Sequence, residues 1–475
     1  MNNKPKLLIL IAGLFVFFSV TSKVYAHGFG ERYDLPMPLL YFILGAVIAV
    51  GLSFLLIGVF VTSDTSPKHF RFEVMPASWV GRIVKSQYLY WIIKCLSVVL
   101  LVLILLTTLI GSNKPIYNFS PTFIWVIWWV GFGFMSAVFG NLWVLINPWK
   151  IIFEFAERIQ KLFTGRDEFN SILIYPSELQ GWPSVVLFGI FAWIENVYWG
   201  AAVPRNLAIL VIIYSLIQWG GMLCFGKCIW LKNGDPFALI FRFFSKFSIS
   251  EINDTDGKVF FRFPGVGFLN ISKPNTSVMV FVVILLATVT FDGIKETPFW
   301  NEIHSHYPTL SYTQIDTFGL VIVPAIFLLI YLLFCWVVRY CSKEKISLIS
   351  IAQSFVFSLL PIALAYHFAH YLSLLLIAGQ AIIPLLSDPF GIGWDLFGSA
   401  DYKINLNAIN AKAAWFFSVS IIVIGHVLAV YVSHLTALKV FKSHGNAIRS
   451  QYPMLLLMLT YTAISLWILS MPIIG

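Results

Sequence analysis

Charged side chains are scarce in this sequence. Asp, Glu, Lys and Arg make up 11% of its 475 residues, against about 25% in an ordinary soluble domain. Hydrophobic residues make up 59%, and the mean hydropathy is +0.84. So few charges cannot cover the surface of a soluble fold of this size, which excludes a soluble enzyme or binding protein. The composition predicts an all-α fold, a polytopic transmembrane helix bundle.

Several common catalytic and binding motifs are also missing. The sequence has no P-loop, no Gly-x-Ser-x-Gly elbow, no His-Glu-x-x-His pair and no Cys-x-x-Cys-His haem site. Its five cysteines do not suggest a disulfide framework, because those near the predicted cytoplasmic side lie in a reducing compartment. In a membrane protein the net charge of +9 is not evidence for nucleic-acid binding, because the distribution of Lys and Arg among the loops reports orientation in the membrane. Nothing in the sequence indicates a nucleic-acid partner.

The first 26 residues have the pattern of a secretory signal peptide. Lys4 and Lys6 precede an apolar run from Leu7 to Val20, and Val-Tyr-Ala forms a cleavage site that ends at Ala26. An uncleaved first helix is the alternative. Cleavage would leave His27 as the amino-terminal residue on the outer face. Its α-amine and imidazole could then chelate one metal ion, an arrangement that suits copper.

Hydropathy divides the rest, residues 27–475, into a single transmembrane domain of ten spans. With both termini outside, inner loops hold 21 Lys and Arg residues and outer loops hold 6, as the positive-inside rule requires. This predicts a multi-pass protein of a bacterial inner membrane, with a cytoplasmic insert at 247–275 and outer loops at 292–316 and 385–411. The predicted spans are 39–62, 89–111, 122–146, 182–200, 206–226, 276–294, 318–338, 348–379, 412–436 and 453–472.

Two short segments and one insert are predicted on the cytoplasmic side. INPWKIIFEF (146–155) and GDPFALIFRF (234–243) each begin with a capping residue, Asn147 or Asp235, followed by proline at the first helical position. They predict short amphipathic helices lying in the membrane interface. Within the insert, Asp-Gly and Pro-Gly pairs flank VFFRF and predict a small β-hairpin.

The most unusual apolar run is PIALAYHFAHYLSLLL (361–376). His367 and His370 are three residues apart and project from one face of a helix, and Tyr371 follows one turn after His367. Two readings stay open: neutral histidines that hydrogen-bond to neighbouring helices, or histidines that bind a metal or handle protons. For a ligand role, Tyr371 or a facing carboxylate would hold the second ring nitrogen.

Four stretches of the chain resemble a family of bacterial integral membrane proteins, some of which are named fenitrothion hydrolase. They are HGFGERYDLPMPLL (27–40), NLWVLINPWK (141–150), TVTFDGIKETPFW (288–300), and AYHFAHYL with SDPFGIGWDLFG (365–398). The resemblance implies hydrolysis of apolar phosphotriesters at the outer leaflet. It supplies no residue roles.

Polar residues collect on the predicted outer side, around Glu195, the 288–308 segment and the loop with Asp388 and Asp395. Imidazole and carboxylate ligands suit a divalent zinc, iron or copper ion, whose bound water a carboxylate would orient. The candidate catalytic residues are Asp292 and Glu296. The candidate metal ligands are His27, His367, His370, His304 and His306.

Three functions are compatible with this pattern. The first is a metal-dependent hydrolase acting on a small apolar substrate in the bilayer. The second is a transporter or metal-handling protein, for which helices broken near mid-membrane, such as one at Pro361, would be evidence. The third is a structural subunit of a larger membrane complex, in which the histidines only pack.

Overall fold

The computed structural model describes residues 26–28, 31–33, 36–61, 71–73, 86–252, 259–270, 273–342 and 344–471. Helices dominate these residues, as the composition predicts. The predicted signal peptide lies outside them except for Ala26, which with His27 belongs to a short strand. The first half of the chain contains β1 (Ala26–Gly28), β2 (Glu31–Tyr33), α1 (Leu39–Phe60), β3 (Arg71–Glu73), α2 (Gln87–Ile110), α3 (Phe119–Thr122), a π-helix (Phe123–Gly131), α4 (Phe132–Phe139), α5 (Trp143–Ile146), α6 (Pro148–Thr164), α7 (Trp182–Asn196), α8 (Pro204–Phe225), α9 (Lys227–Asn233) and α10 (Pro236–Phe244).

The second half begins with a hairpin and continues as long helices. Its elements are β4 (Ser250–Ile252), β5 (Val259–Arg262), α11 (Thr276–Lys295), α12 (Pro298–His306), α13 (Tyr312–Ser342), α14 (Leu348–Phe355), α15 (Leu360–Ile377), α16 (Ile382–Ser387), α17 (Ala411–Val440) and α18 (His444–Ser470).

Nine helical segments among the described residues are long and apolar enough to cross a membrane. They coincide with nine of the ten spans that hydropathy predicts. The remaining prediction, 182–200, corresponds to α7, which has 15 residues. That is shorter than the roughly 20 residues needed to cross the hydrocarbon layer. The structure therefore supports a multi-pass membrane protein. Helix α7 is the one predicted span that is too short to count among the nine.

The centre of the bundle is formed by α11 and the composite span 348–387. In each, 72% of the most apolar stretch is buried inside the protein, against 22% for α1 at the periphery. Helix α15 packs closely on α17, where a Cβ at Gly425 would lie 2.4 Å from the Cβ of Ala365. Only glycine allows these two backbones to approach so closely. The two histidines of interest are therefore on the most enclosed helix.

The composite span 348–387 is not one continuous helix. A 3₁₀ turn at Val356–Leu359 precedes Pro361, and a second at Ala378–Ala381 separates α15 from α16. Proline has no N–H and fits the first turn of α15, so the break falls where the sequence places Pro361. The third span, Phe119–Phe139, contains the nine-residue π-helix. Wide π turns are rare and are frequent at functional sites.

The hairpin predicted within residues 247–275 is confirmed. Strands β4 and β5 pair antiparallel, with Glu251 opposite Phe260. Strand β3 adds to the other side of β5, with Phe72 opposite Phe261, which gives the order β3-β5-β4. The sequence contained no clear signal for this third strand.

Of the two predicted interfacial helices, the one at 234–243 is wrong, while the membrane position of the one at 146–155 stays a prediction. Asn147 caps α6 by accepting the N–H of Lys150, and Phe155 and Phe163 on that helix are exposed. Asp235 likewise caps α10, but α10 is enclosed: Phe237, Ile240 and Phe241 are at most 4% exposed. A helix that is apolar nearly all round is stable when it is buried, not at an interface.

Candidate functional site

Ionisable and hydrogen-bonding side chains from four elements meet near one end of the bundle, the end that the basic loops predict to be outer. We call this group the acid–base cluster. Its members are Trp129 of the π-helix, Glu195 of α7, Asp292 and Lys295 of α11, and His370 and Tyr371 of α15.

Asp292 is the centre of the cluster. Its Oδ2 accepts hydrogen bonds from His370 Nε2 at 2.9 Å and from the Tyr371 hydroxyl at 2.8 Å. Its Oδ1 lies 3.2 Å from Lys295 Nζ. Three donors on two oxygens are the environment of an ionised carboxylate. The hydrogen bond from His370 Nε2 to Asp292 also fixes the tautomer of the neutral imidazole, with the proton on Nε2 and a lone pair on Nδ1.

The geometry of α11 explains why Asp292 and Lys295 form a pair. They are three residues apart and face the same side of its last turn. Lys295 also donates to the carbonyl oxygen of Asn196 at 3.3 Å, and its charge lies near the carboxyl end of α11, where the helix dipole favours a cation. The predicted outer loop 292–316 therefore starts too early, because Asp292 belongs to the helix.

Glu195 shares Tyr371 with Asp292. Its Oε1 accepts the indole N–H of Trp129 and lies 3.2 Å from the Tyr371 hydroxyl oxygen. A phenol has one proton. When Tyr371 donates that proton to Asp292, the short contact to Glu195 is a hydrogen bond only if Glu195 is protonated and donates to Tyr371. In that arrangement the two carboxyl groups are joined through one hydroxyl group, with the Tyr371 proton directed at Asp292 and the Glu195 proton directed at Tyr371.

His367 lies one turn further into the bundle and is enclosed by aromatic rings. It is 1% exposed, and its ring centroid is 4.8 Å from that of Tyr371, 5.1 Å from Phe244 and 5.7 Å from Trp129. Within the described part of the chain neither of its ring nitrogens has a hydrogen-bond partner. The spacing correctly places both histidines beside Tyr371, but only His370 has the predicted facing carboxylate.

The other predicted metal ligands lie apart from this pair. His304 contacts Asp316 at 3.0 Å and stacks on Tyr312, and exposed His306 contacts the carbonyl oxygen of Glu302 at 2.9 Å. The His27 side chain is outside the described residues. Where the chain is described, no three His, Cys, Asp or Glu residues are arranged to hold a metal ion. The metal site therefore stays a prediction.

The sequence analysis singles out Asp292, His370 and Tyr371, gives Glu195 no partner, and misses Lys295 and Trp129. Lys295 was counted only as an outer basic residue, and Trp129 was one of many aromatic residues. Glu195 was noted as outer polarity without a partner. The available signals were the Asp-x-x-Lys spacing at 292–295 and a glutamate inside the apolar segment FAWIEN. Glu296, the second predicted catalytic residue, is 42% exposed and lies 3.7 Å from Lys295.

Asp235 is a second buried carboxylate, in the part of the bundle predicted to be nearer the cytoplasm. It is 1% exposed. Its Oδ1 accepts the backbone N–H groups of Phe237 and Ala238 and the hydroxyl of Tyr214. Its Oδ2 accepts the Trp143 indole and the Asn147 amide. The capping residues of the two similar segments therefore meet directly. With five donors satisfied, Asp235 has the contacts of a structural residue.

Comparisons with family models, with curated proteins and with solved structures find no match to this chain.

Proposed function

We propose that this protein conducts protons across a bacterial inner membrane. The acid–base cluster would take up and release the proton at the outer face. The observation that supports this is the pair of carboxyl groups, Glu195 and Asp292, joined through the hydroxyl of Tyr371. Ionisable groups inside membrane spans are costly, and in transporters they mark proton relays.

Two hydrogen-bond patterns that differ by one proton are available to the cluster. With Glu195 protonated, Glu195 donates to Tyr371 and Tyr371 donates to Asp292. After Glu195 loses its proton, the Tyr371 hydroxyl can turn and donate to Glu195, while His370 and Lys295 still hold Asp292. The switch needs only the rotation of one O–H bond. It would leave Asp292 ionised in both patterns and stabilise the new negative charge on Glu195, without moving a helix.

The partial exposure of the acid–base cluster is also compatible with proton exchange. The side chain of His370 is 22% exposed and that of Asp292 is 16% exposed, so water can reach them from the predicted outer end. On the other side of Tyr371 lies His367, whose nitrogens have no described partner. A proton that reaches Tyr371 therefore has a second imidazole next to it, further into the bundle.

The rate of proton uptake into liposomes tests the proposal. Purified protein is reconstituted into liposomes containing the pH dye pyranine, and a potassium gradient with valinomycin imposes a membrane potential. We expect wild-type liposomes to take up protons faster than empty ones. Asp292→Asn and Glu195→Gln should each lower that rate about tenfold or more, because each removes a group that exchanges the proton.

Matched substitutions at exposed acids on the same predicted side serve as controls. Asp401→Asn and Glu302→Gln alter exposed side chains outside the cluster and should leave the rate unchanged. All rates are expressed per folded molecule, from the size-exclusion profile. Wild-type uptake equal to that of empty liposomes, or equal loss in the controls, would reject the proposal.

The hydrolase predicted from the resemblance is a second candidate, because Asp292 and His370 form a dyad. Asp292 holds Nε2, so Nδ1 of the partly exposed His370 could take a proton from water and later return it to the departing alcohol. The water oxygen would bond to phosphorus as the P–O bond to the alcohol breaks. We expect hydrolysis of fenitrothion by the reconstituted protein to fall at least about 100-fold in His370→Gln. No turnover by wild type would remove this candidate.

A further inference from the structure

A cavity of about 390 Å³ lies between α2, the π-helix, α7 and α8. Its wall follows α8 from Leu207 to Ile217, ten residues, which corresponds to ~15 Å along the helix. It is an elongated space at the depth of the membrane spans. Ile190 and Ile213 on its wall are 51% and 49% exposed, so the cavity reaches the outer surface of the bundle, where lipid would lie.

The side chains around this cavity are almost all hydrocarbon and indole. Leu100, Leu101, Trp125 and Leu210 are among them. The two hydroxyl groups there are occupied, because Ser97 donates to the carbonyl oxygen of Ile146 and Tyr214 donates to Asp235. Water needs two to four polar partners, so such a space would not hold ordered water. Its shape and chemistry fit an acyl chain.

Basic side chains gather at the end of the cavity that the positive-inside rule places near the cytoplasm. Ser97, Pro148 and Trp149 line that end. Lys94 precedes Ser97 by one turn of α2, and Lys150 directly follows Trp149.

The acids nearby do not cancel this positive charge. Glu154 lies between Lys94, at 2.7 Å, and Lys150, at 3.7 Å, and Arg158 stacks on the Trp91 ring at 4.5 Å. Burial raises the pKa of Glu154, but the hydrogen bond from Lys94 and the charge of Lys150 more than offset this and leave the pKa below its ordinary value. Two lysines therefore share one anion, and Arg158 adds a further positive charge one turn along α6. The next acid along α6, Glu157, is already paired with Lys227 at 2.6 Å.

We infer that this cavity binds an anionic phospholipid from the cytoplasmic leaflet. One acyl chain lies in the cavity between α2 and α8, and the phosphate lies against Lys150 and Arg158. The apolar cavity lies next to the positively charged end, just as the acyl chain of a phospholipid lies next to its anionic head group. This inference does not depend on the proposed proton exchange, because the cavity and the acid–base cluster use different side chains.

Native mass spectrometry can test the site in detergent. Delipidated protein is mixed with equal amounts of phosphatidylglycerol and phosphatidylcholine that have the same acyl chains. We expect one phosphatidylglycerol to be retained per protein, with about a tenfold preference over phosphatidylcholine, because nearby Lys and Arg side chains attract the anionic head group.

Two pairs of variants locate the head group and the chain. Lys150→Gln with Arg158→Gln should abolish the preference, while Lys114→Gln with Arg205→Gln, which lie just after the end of α2 and at the start of α8, should keep it. Leu210→Phe fills the cavity and should lower retention about tenfold, while Leu216→Phe, which is 62% exposed and outside the cavity, should not.

For each of these measurements, one outcome would contradict the inference. Equal retention of the two lipids, or an unchanged preference in the Lys150 and Arg158 variant, would overturn the head-group assignment. Unchanged retention in Leu210→Phe would overturn the assignment of the chain to the cavity. The proton-uptake assay of the same variants is a separate measurement, and failure of one proposal leaves the other intact.

Discussion

Asp235→Ala is expected to destabilise the protein by about 3–5 kcal/mol, the largest effect of any single substitution outside the acid–base cluster. The substitution removes the acceptor of three buried side-chain donors, on Trp143, Asn147 and Tyr214. It also removes the cap of α10, by exposing two backbone N–H groups that have no other acceptor nearby. Each buried donor left unpaired costs about 1–3 kcal/mol, and a lost cap costs about 1 kcal/mol.

The measurement is the free energy of unfolding by SDS titration in mixed micelles. Asp401→Ala removes an exposed carboxylate and should change stability by less than about 0.5 kcal/mol. Asp235→Asn keeps one oxygen and should be intermediate, because that oxygen can still accept either the three donors now at Oδ1 or the two now at Oδ2. If Asp235→Ala lies within 1 kcal/mol of Asp401→Ala, roughly the value of one hydrogen bond, the bonds at Asp235 do not hold α10 in place.

The class of fold could be predicted from composition because the bilayer leaves few alternatives. Apolar segments long enough to cross must be helical, and hydropathy finds them without knowledge of packing. It could not tell that 236–244 is a buried helix rather than an interfacial one. Burial depends on which helices surround the segment, and the sequence of α10 alone, with Arg242 near its end, fits both positions.

The acid–base cluster could be predicted only in part, again because the sequence does not show which helices pack together. His367 and His370 stood out because charged or polar groups are rare in such a run. The partners of His370 and Tyr371 are Asp292 of α11 and Glu195 of α7, which lie 78 and 176 positions away along the chain. Sequence spacing reports neighbours on one helix, but it carries no information on which two helices touch. The Asp292–His370 contact therefore needed the structure.

The π-helix is the clearest feature that no pattern indicated. Its sequence, FIWVIWWVG, reads as an ordinary apolar span. The wider turn accompanies the side chain of Trp129, which reaches Glu195 and packs beside His367. These contacts are with α7 and α15, which the local sequence does not identify as neighbours.

Asp292→Ala is expected to cost about 3–5 kcal/mol, because it leaves the partly buried Lys295 cation with only the more exposed Glu296 at 3.7 Å as a counterion and removes the acceptor of His370. Adding Lys295→Met should restore more than half of that loss, because the unpaired charge is then gone. An exposed ion pair is the matched control: Asp167→Ala, which frees Lys161, should cost less than about 0.5 kcal/mol.

The double variant separates a structural cluster from one that exchanges protons. If the cluster only holds α11 against α15, Asp292→Ala with Lys295→Met should fold and also take up protons at the wild-type rate. If Asp292 takes part in exchange, the same variant should fold, by SDS titration, and yet take up protons about tenfold more slowly or worse. A folded double variant with wild-type proton uptake would leave the cluster with a packing role alone. A slow, well-folded one would assign the buried carboxylates to the transfer itself, since stability and rate would then have changed independently.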